Sequence, residues 1–126
     1  MTETFRLNKH GVCINPNVIE YTKGVCSFKI KTAFADGCWI YGHAFYTSSE
    51  YWGSPCCAAL NHKGFSTEKE AIRHAAKVAL RWFAKPRYTC TASCSRTPVT
   101  VPKEIFSELN NILHPQPVQL SLFDNT

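Results

Sequence analysis

Alternation of apolar and polar residues is the clearest pattern in the first half of the chain. Residues 25–35 alternate with the period of a half-buried β-strand. Asp36 and Gly37 follow, and a second apolar run covers residues 38–46. Because Gly readily adopts the positive φ of the primed turns, this arrangement predicts a β-hairpin. The first strand places Phe28, Ile30 and Phe34 on one side and Lys29 and Lys31 on the other.

The second strand of the hairpin separates aromatic from small residues. One face carries Trp39, Tyr41, His43 and Phe45, and the other carries Cys38, Ile40, Gly42 and Ala44. The aromatic row either lies in the core under a helix or stays open to stack bases or receive a protein partner. We favour the core, since exposed aromatic rows lower solubility. Residues 47–55 are predicted to be a loop and residues 55–60 a third, shorter strand.

A helical period begins at Thr67. Thr67 as N-cap with Glu70 three residues later forms a capping box, and acidic residues complement the positive end of the helix. Pro86 ends the pattern. Apolar side chains fill one half of the helical wheel: Ala71, Ile72, Ala75, Ala76, Val78, Ala79, Trp82 and Phe83.

The remainder of the chain is predicted to form an irregular connection, a second helix and a tail. Residues 86–100 contain Pro, Ser and Thr and are predicted to be irregular. Pro102 suits the first turn of a helix that reaches Leu113, and Pro115 ends it. We therefore predict an α+β fold, in which a three-stranded antiparallel sheet packs against an amphipathic helix in the order β-β-β-α. Residues 1–114 would form this single domain, and residues 115–126 an extended, flexible tail.

Composition is consistent with one folded domain of modest positive charge. The chain has 126 residues, and 14 Lys and Arg against 9 Asp and Glu give a net charge of +5. This charge permits contact with nucleic acid or another acidic partner. The sequence shows neither a signal peptide nor an apolar run long enough for a membrane helix. Seven cysteines, an odd number, then favour free thiols in the cytoplasm.

The polar half of the predicted helix carries a basic stripe, formed by Lys69, Arg73, Lys77, Arg81 and Lys85. A spacing of four residues keeps these side chains on one face, with a drift of about 40° per step. Such a face can bind phosphates non-specifically, which makes the stripe a candidate nucleic-acid-binding site. The alternative is an ordinary solvated helix face, and Glu70 lies within it.

The predicted elements of residues 25–84 have the order β-β-β-α, and within them residues 67–80 resemble the last helix of double-stranded RNA-binding domains. The positions that match the small packing residues of that family are Ala71, Ala75, Ala76, Ala79 and Leu80. The family's Lys-Lys pair at the helix start is Glu68-Lys69 here, and its N-terminal helix is not evident. The resemblance therefore implies a related layered topology more strongly than binding to duplex RNA.

The segment Gln119-Leu-Ser-Leu-Phe123 resembles the pentapeptide by which bacterial replication and repair proteins dock on the β sliding clamp. The resemblance implies that Gln119 sets the register by hydrogen bonding and that Leu120, Leu122 and Phe123 fill apolar subsites. Ser121 occupies a permissive position. The alternative is that these apolar residues form a last strand or cover the domain's own core.

Metal binding and catalysis have weaker support. Cys90 and Cys94, together with Cys56, Cys57 or His62, offer thiolate and imidazole ligands suited to zinc. Buried or inert free thiols are the favoured explanation. The histidines have no linked acidic motif, and no Gly-rich phosphate loop is present. We expect a protein that is not an enzyme and has neither metal nor cofactor.

These patterns leave three functional hypotheses. The leading one is a small cytoplasmic accessory or regulatory protein, encoded by a bacterium, phage or plasmid, that binds the sliding clamp through its tail. The second is a nucleic-acid-binding module that uses the basic stripe. The third is an inhibitor of a host or rival protein, such as an anti-defence factor.

Overall fold

A computed structural model of the chain describes residues 5–48, 50–57, 64–86, 88–90 and 96–114. Its main layer is an antiparallel sheet with the strand order β1-β2-β3-β4. The strands are β1 (Asn17–Lys23), β2 (Cys26–Ala35), β3 (Cys38–Tyr46) and β4 (Tyr51–Ser54), and they are followed by helix α1 (Glu68–Ala84), the short strands β5 (Tyr88–Cys90) and β6 (Arg96–Pro98), and helix α2 (Lys103–Leu113). The predicted α+β class is therefore confirmed.

The central hairpin forms where the sequence predicts it. Asp36 and Gly37 both have positive φ, at 54° and 82°, as a type I′ turn requires. Ala35 pairs with Cys38, and the antiparallel ladder then continues to Ser27 paired with Tyr46. The turn thus sets the register that brings the aromatic face of β3 beside the apolar face of β2.

The prediction of three strands is wrong at both edges of the sheet. The strand β1 was not predicted, because its adjacent residues Val18 and Ile19 interrupt simple alternation. The predicted loop 47–55 is wrong where it contains β4, in which Trp52 pairs with Phe45. Of the predicted strand at 55–60, residues 55–57 belong to no described strand and contain only an isolated bridge at Cys57. Residues 58–60 lie outside the described residues. Likewise, β5 and β6 pair within the segment 86–100 that was predicted to be irregular.

Helix α1 begins with the predicted capping box. The Thr67 hydroxyl accepts a hydrogen bond from the Glu70 backbone N–H at 3.2 Å, which satisfies a donor left free by the helix start. Glu68 anchors this end to the sheet, because its carboxylate accepts hydrogen bonds at 2.8 Å from Asn17 and Thr32. The helix ends at Ala84, two residues before Pro86.

Helix α2 has the predicted extent, although Pro102 is its N-cap and not a residue of its first turn. Its buried side chains are Ile105, Leu109 and Leu113. The helix packs on α1 and on β1. The two helices thus cover one face of the sheet, and α2 extends this cover toward the β1 edge.

The main core lies between this face and the two helices. Its fully buried members include Phe28, Ile30, Phe45, Ala75, Ala79, Ile105 and Leu109. The aromatic row of β3 lies on the face that the helices cover. Its interpretation as core is confirmed for His43 and Phe45, which are 4% and 0% exposed, whereas Trp39 and Tyr41 are half-buried. A smaller cluster on the opposite face contains Cys13, Ala33, Ala35, Ile40 and Cys56.

Candidate functional site

The basic stripe lies on the solvent face of α1. All five side chains are exposed, and they are Lys69, Arg73, Lys77, Arg81 and Lys85. Within the described part of the chain, none of them forms an ion pair. Glu70 is turned toward the helix start, where hydrogen bonds from Ser66 and Thr67 lower the pKa of its carboxyl group. The stripe therefore presents unpaired positive charge over the whole length of the helix.

A cleft of about 530 Å³ opens between the second half of α1 and the β4 edge of the sheet. We call it the Trp52 cleft. The sheet contributes Tyr41, His43, Trp52, Gly53 and Ser54, and the helix side contributes Val78, Arg81, Trp82 and Lys85. One wall is therefore mainly aromatic, while the other carries the last two cations of the basic stripe.

A second depression of about 310 Å³ lies beside the first half of α1 and is lined by Glu70, Arg73, His74 and Lys77. Phe65 lines it as well, held in place by two backbone hydrogen bonds with Trp39 of 2.7 and 2.8 Å. The basic stripe thus borders both sites, with Arg73 and Lys77 at the second depression and Arg81 and Lys85 at the Trp52 cleft.

A row of aromatic and imidazole rings connects the second depression with the Trp52 cleft. The ring centroids of Phe65 and Tyr41 are 6.2 Å apart, those of Tyr41 and His43 are 6.2 Å apart, and those of His43 and Trp52 are 4.5 Å apart. His74 joins the row from the helix, 5.1 Å from the Tyr41 ring. Aromatic rings and cations therefore run side by side along one flank of α1.

His43 forms the floor of the Trp52 cleft. It is 4% exposed and stacks on Phe45 with a centroid separation of 4.4 Å. Burial lowers its pKa, a hydrogen bond with the Trp52 backbone raises it, and Lys31 lowers it further. Its Nδ1 atom is buried and has no hydrogen-bond partner among the described residues. The lowered pKa favours the neutral imidazole, and its Nδ1 atom lies beneath the surface of the cleft.

Trp52 is the most accessible large ring of the cleft, with 43% of its surface exposed. It lies on β4, the last strand of the described sheet, and packs edge-on against His43 and Phe45. The position of β4 depends on a close approach at Gly42, where an added Cβ would lie 2.4 Å from the backbone nitrogen of Cys56. Glycine at this position therefore lets the chain after β4 pass against β3.

Of the two sites predicted from the sequence, the structure describes only one. It describes the basic stripe and shows it beside an aromatic cleft that the sequence did not predict. The missed residues are Trp52, Phe65 and His74, which lie far apart in the chain and carry no shared motif. The predicted clamp-binding residues, which are Gln119, Leu120, Leu122 and Phe123, lie outside the described residues.

The cysteines that the structure describes in side-chain detail are free thiols, namely Cys13, Cys26, Cys38, Cys56 and Cys57. Burial, with smaller contributions from Cys13 and Cys57, raises the pKa of Cys56 to about 12, although Lys31 opposes this shift. No cluster of three metal-ligating side chains occurs among the described residues. The alternative zinc site stays untested, because Cys94, His62 and the Cys90 side chain are not described.

Comparison with protein-family models, curated proteins and solved structures finds no match for this chain. None of the helices in the described ranges is long and apolar enough to cross a membrane. The described residues form an α+β fold, and the surfaces that can carry a function are the basic stripe and the Trp52 cleft.

Proposed function

We propose that the protein is a small cytoplasmic accessory factor that docks on the bacterial β sliding clamp through its C-terminal segment. The observation that carries this proposal is the sequence Gln119-Leu-Ser-Leu-Phe123. A supporting observation is that α2 is followed by the exposed residue His114, so the described domain ends at its surface. In this proposal the protein acts by binding and not by catalysis.

Burial of the apolar side chains explains how such a peptide binds. Each of Leu120, Leu122 and Phe123 contributes about 1.5–3 kcal/mol when it leaves water. Ordering the peptide and restricting its motion oppose much of this gain. The balance corresponds to a dissociation constant on the order of micromolar, which permits exchange with other proteins that use the same groove.

A titration of purified clamp tests this proposal. The intact chain is expected to bind with micromolar affinity, and the double variant Leu122→Ala/Phe123→Ala is expected to lose at least tenfold. Ser121→Ala is the matched control, because the permissive position should tolerate it. Equal binding by the intact chain and the double variant removes the proposal.

We propose as a second function that the folded domain binds nucleic acid with the basic stripe. Five exposed cations without ion pairs in the described structure favour this function, because each can replace a counterion at a phosphate. The two functions are compatible, since a clamp-bound protein stays close to DNA. The stripe does not by itself distinguish DNA from RNA.

Salt dependence tests whether binding depends on contacts between the stripe and phosphates. Binding to single-stranded and duplex DNA and RNA is measured between about 50 and 200 mM salt, and each phosphate contact adds about 0.7 to the logarithmic slope on single strands. Arg73→Gln/Lys77→Gln is expected to weaken binding and to lower the slope by about 1.4. The control Lys23→Gln/Lys103→Gln removes two exposed cations away from the stripe. Absent or salt-insensitive binding contradicts the function.

A further inference from the structure

The Trp52 cleft combines two surfaces that suit different parts of one ligand. Its sheet wall is formed by the rings of Tyr41, His43 and Trp52, and its helix wall ends in Arg81 and Lys85. A matching ligand therefore has a flat unsaturated surface and an anionic group on the same unit. Nucleotides have this combination, and sites for single-stranded nucleic acid pair aromatic rings with a positively charged groove. The volume of about 530 Å³ is that of a small-molecule site.

We propose that the Trp52 cleft receives an unpaired base of a single-stranded nucleic acid, with the base against Trp52 and the adjoining phosphates at Arg81 and Lys85. This inference rests on the proposed nucleic-acid function and adds that the protein prefers single strands to duplexes. It adds a binding surface that the basic stripe does not contain.

The shape of the cleft favours a single strand over a duplex. Stacking on a ring requires a base whose face is accessible, and the faces of paired bases are covered by their neighbours in the helix. The cleft lies between α1 and β4, so a base must leave its own stack to enter. Phosphate contacts alone do not make this distinction.

The occupant is part of a strand because the site continues beyond one nucleotide. Successive cations from Arg73 to Lys85 are about 6 Å apart along the helix axis. They pass from the Trp52 cleft to the second depression, where Phe65 and His74 offer further rings. A free mononucleotide would use only one end of this surface.

The test compares single-stranded with duplex DNA of the same sequence, using fluorescence anisotropy and the full chain. Trp52→Ala is expected to weaken single-strand binding at least fivefold, because one base stack is lost, and to leave duplex binding unchanged. Trp52→Phe is expected to keep most of the affinity. Tyr51→Ala is the matched control, because Tyr51 is also exposed on β4 but lies on the opposite face of the sheet.

Each outcome decides between the inference and the function on which it rests. If Trp52→Ala binds single strands like the intact chain while Arg73→Gln/Lys77→Gln does not, the cleft inference is overturned and the stripe function stands. If the intact chain binds no nucleic acid, both are overturned. Equal competition by a free mononucleotide and by an oligonucleotide overturns the assignment to a strand.

Photo-crosslinking keeps the test independent of variant folding. A single-stranded oligonucleotide containing 5-bromouracil is irradiated with the intact chain, and the attached peptide is identified by mass spectrometry. Crosslinks to the peptide that contains Trp52 support the inference. Crosslinks confined to the basic stripe or to other parts of the chain overturn it.

Discussion

Gly42→Ala tests the packing that positions β4 and, with it, one wall of the Trp52 cleft. The added Cβ would lie 2.4 Å from the backbone nitrogen of Cys56, 2.6 Å from the carbonyl carbon of Pro55 and 2.7 Å from the carbonyl oxygen of Ser54. Ordinary contacts begin at 3.4 Å, so the chain after β4 would have to retreat by about 1 Å. None of the three atoms can be moved by a change of side-chain rotamer.

The expected loss of stability follows from this geometry. Forcing an extra methyl group into a packed site costs about 1–3 kcal/mol, and a clash with backbone falls at the upper end. Replacing Gly also restricts the unfolded chain, which returns about 0.4–1 kcal/mol. The net loss for Gly42→Ala is therefore about 2 kcal/mol or more. Gly37→Ala is the matched control, because its Cβ meets no atom within 4 Å and it suffers only from a positive φ of 82°.

Urea unfolding followed by tryptophan fluorescence measures both variants. With a denaturant slope of about 1–3 kcal/mol per molar, the midpoint for Gly42→Ala should fall by about 1 M. Gly37→Ala should lose about 1 kcal/mol, since the left-handed backbone costs about 1–2 kcal/mol before the same unfolded-state correction. A midpoint for Gly42→Ala at or above that of Gly37→Ala would refute the reasoning. Because Ser54 lines the cleft, single-strand affinity should fall with stability.

Three further predictions concern the helix start and the buried titratable groups. Thr67→Ala should cost about 1 kcal/mol in urea unfolding, because the Glu70 N–H loses its cap, and Thr67→Ser should restore most of it. Iodoacetamide at pH 8 should leave Cys56 unmodified in the folded protein, as peptide mapping would show, because burial raises its thiol pKa to about 12. Burial lowers the pKa of His43 and of His74, so the unfolded chain takes up protons first as pH falls. The melting temperature should therefore be fully maintained above about pH 6.5 and decline below it, and a constant value down to pH 5.5 would contradict this prediction.

Local chemistry explains why several elements could be predicted from the sequence. The hairpin turn depends on two adjacent residues, Asp36 and Gly37, whose positive φ is favoured by their own side chains. The start of α1 likewise depends on a capping interaction between Thr67 and Glu70, three residues apart. Periodicity identified the buried faces of both helices, because burial repeats with the geometry of the element itself.

The sheet edges were less predictable because edge strands bury little and depend on distant partners. In β1 the side chains alternate between half-buried and exposed over most of the strand, so no fully buried face marks it. The strand β4 has only four residues and is stabilised by its pairing with β3, including Trp52 with Phe45. The residues between 47 and 55 contain turn formers, and only the tertiary pairing reveals the strand among them.

The sequence by itself determined the hairpin, both helices, the basic stripe and the C-terminal peptide, since each depends on residues close together in the chain. Only the tertiary structure decided that Trp52 and His43 lie beside Arg81, because strand pairing and the packing of α1 on the sheet bring together residues from β3, β4 and α1. In the sequence the stripe is only a charged helix face, whereas in the structure its last two cations line a cleft. Gly42 shows the same dependence, since its identity matters only where another segment of backbone passes within contact distance.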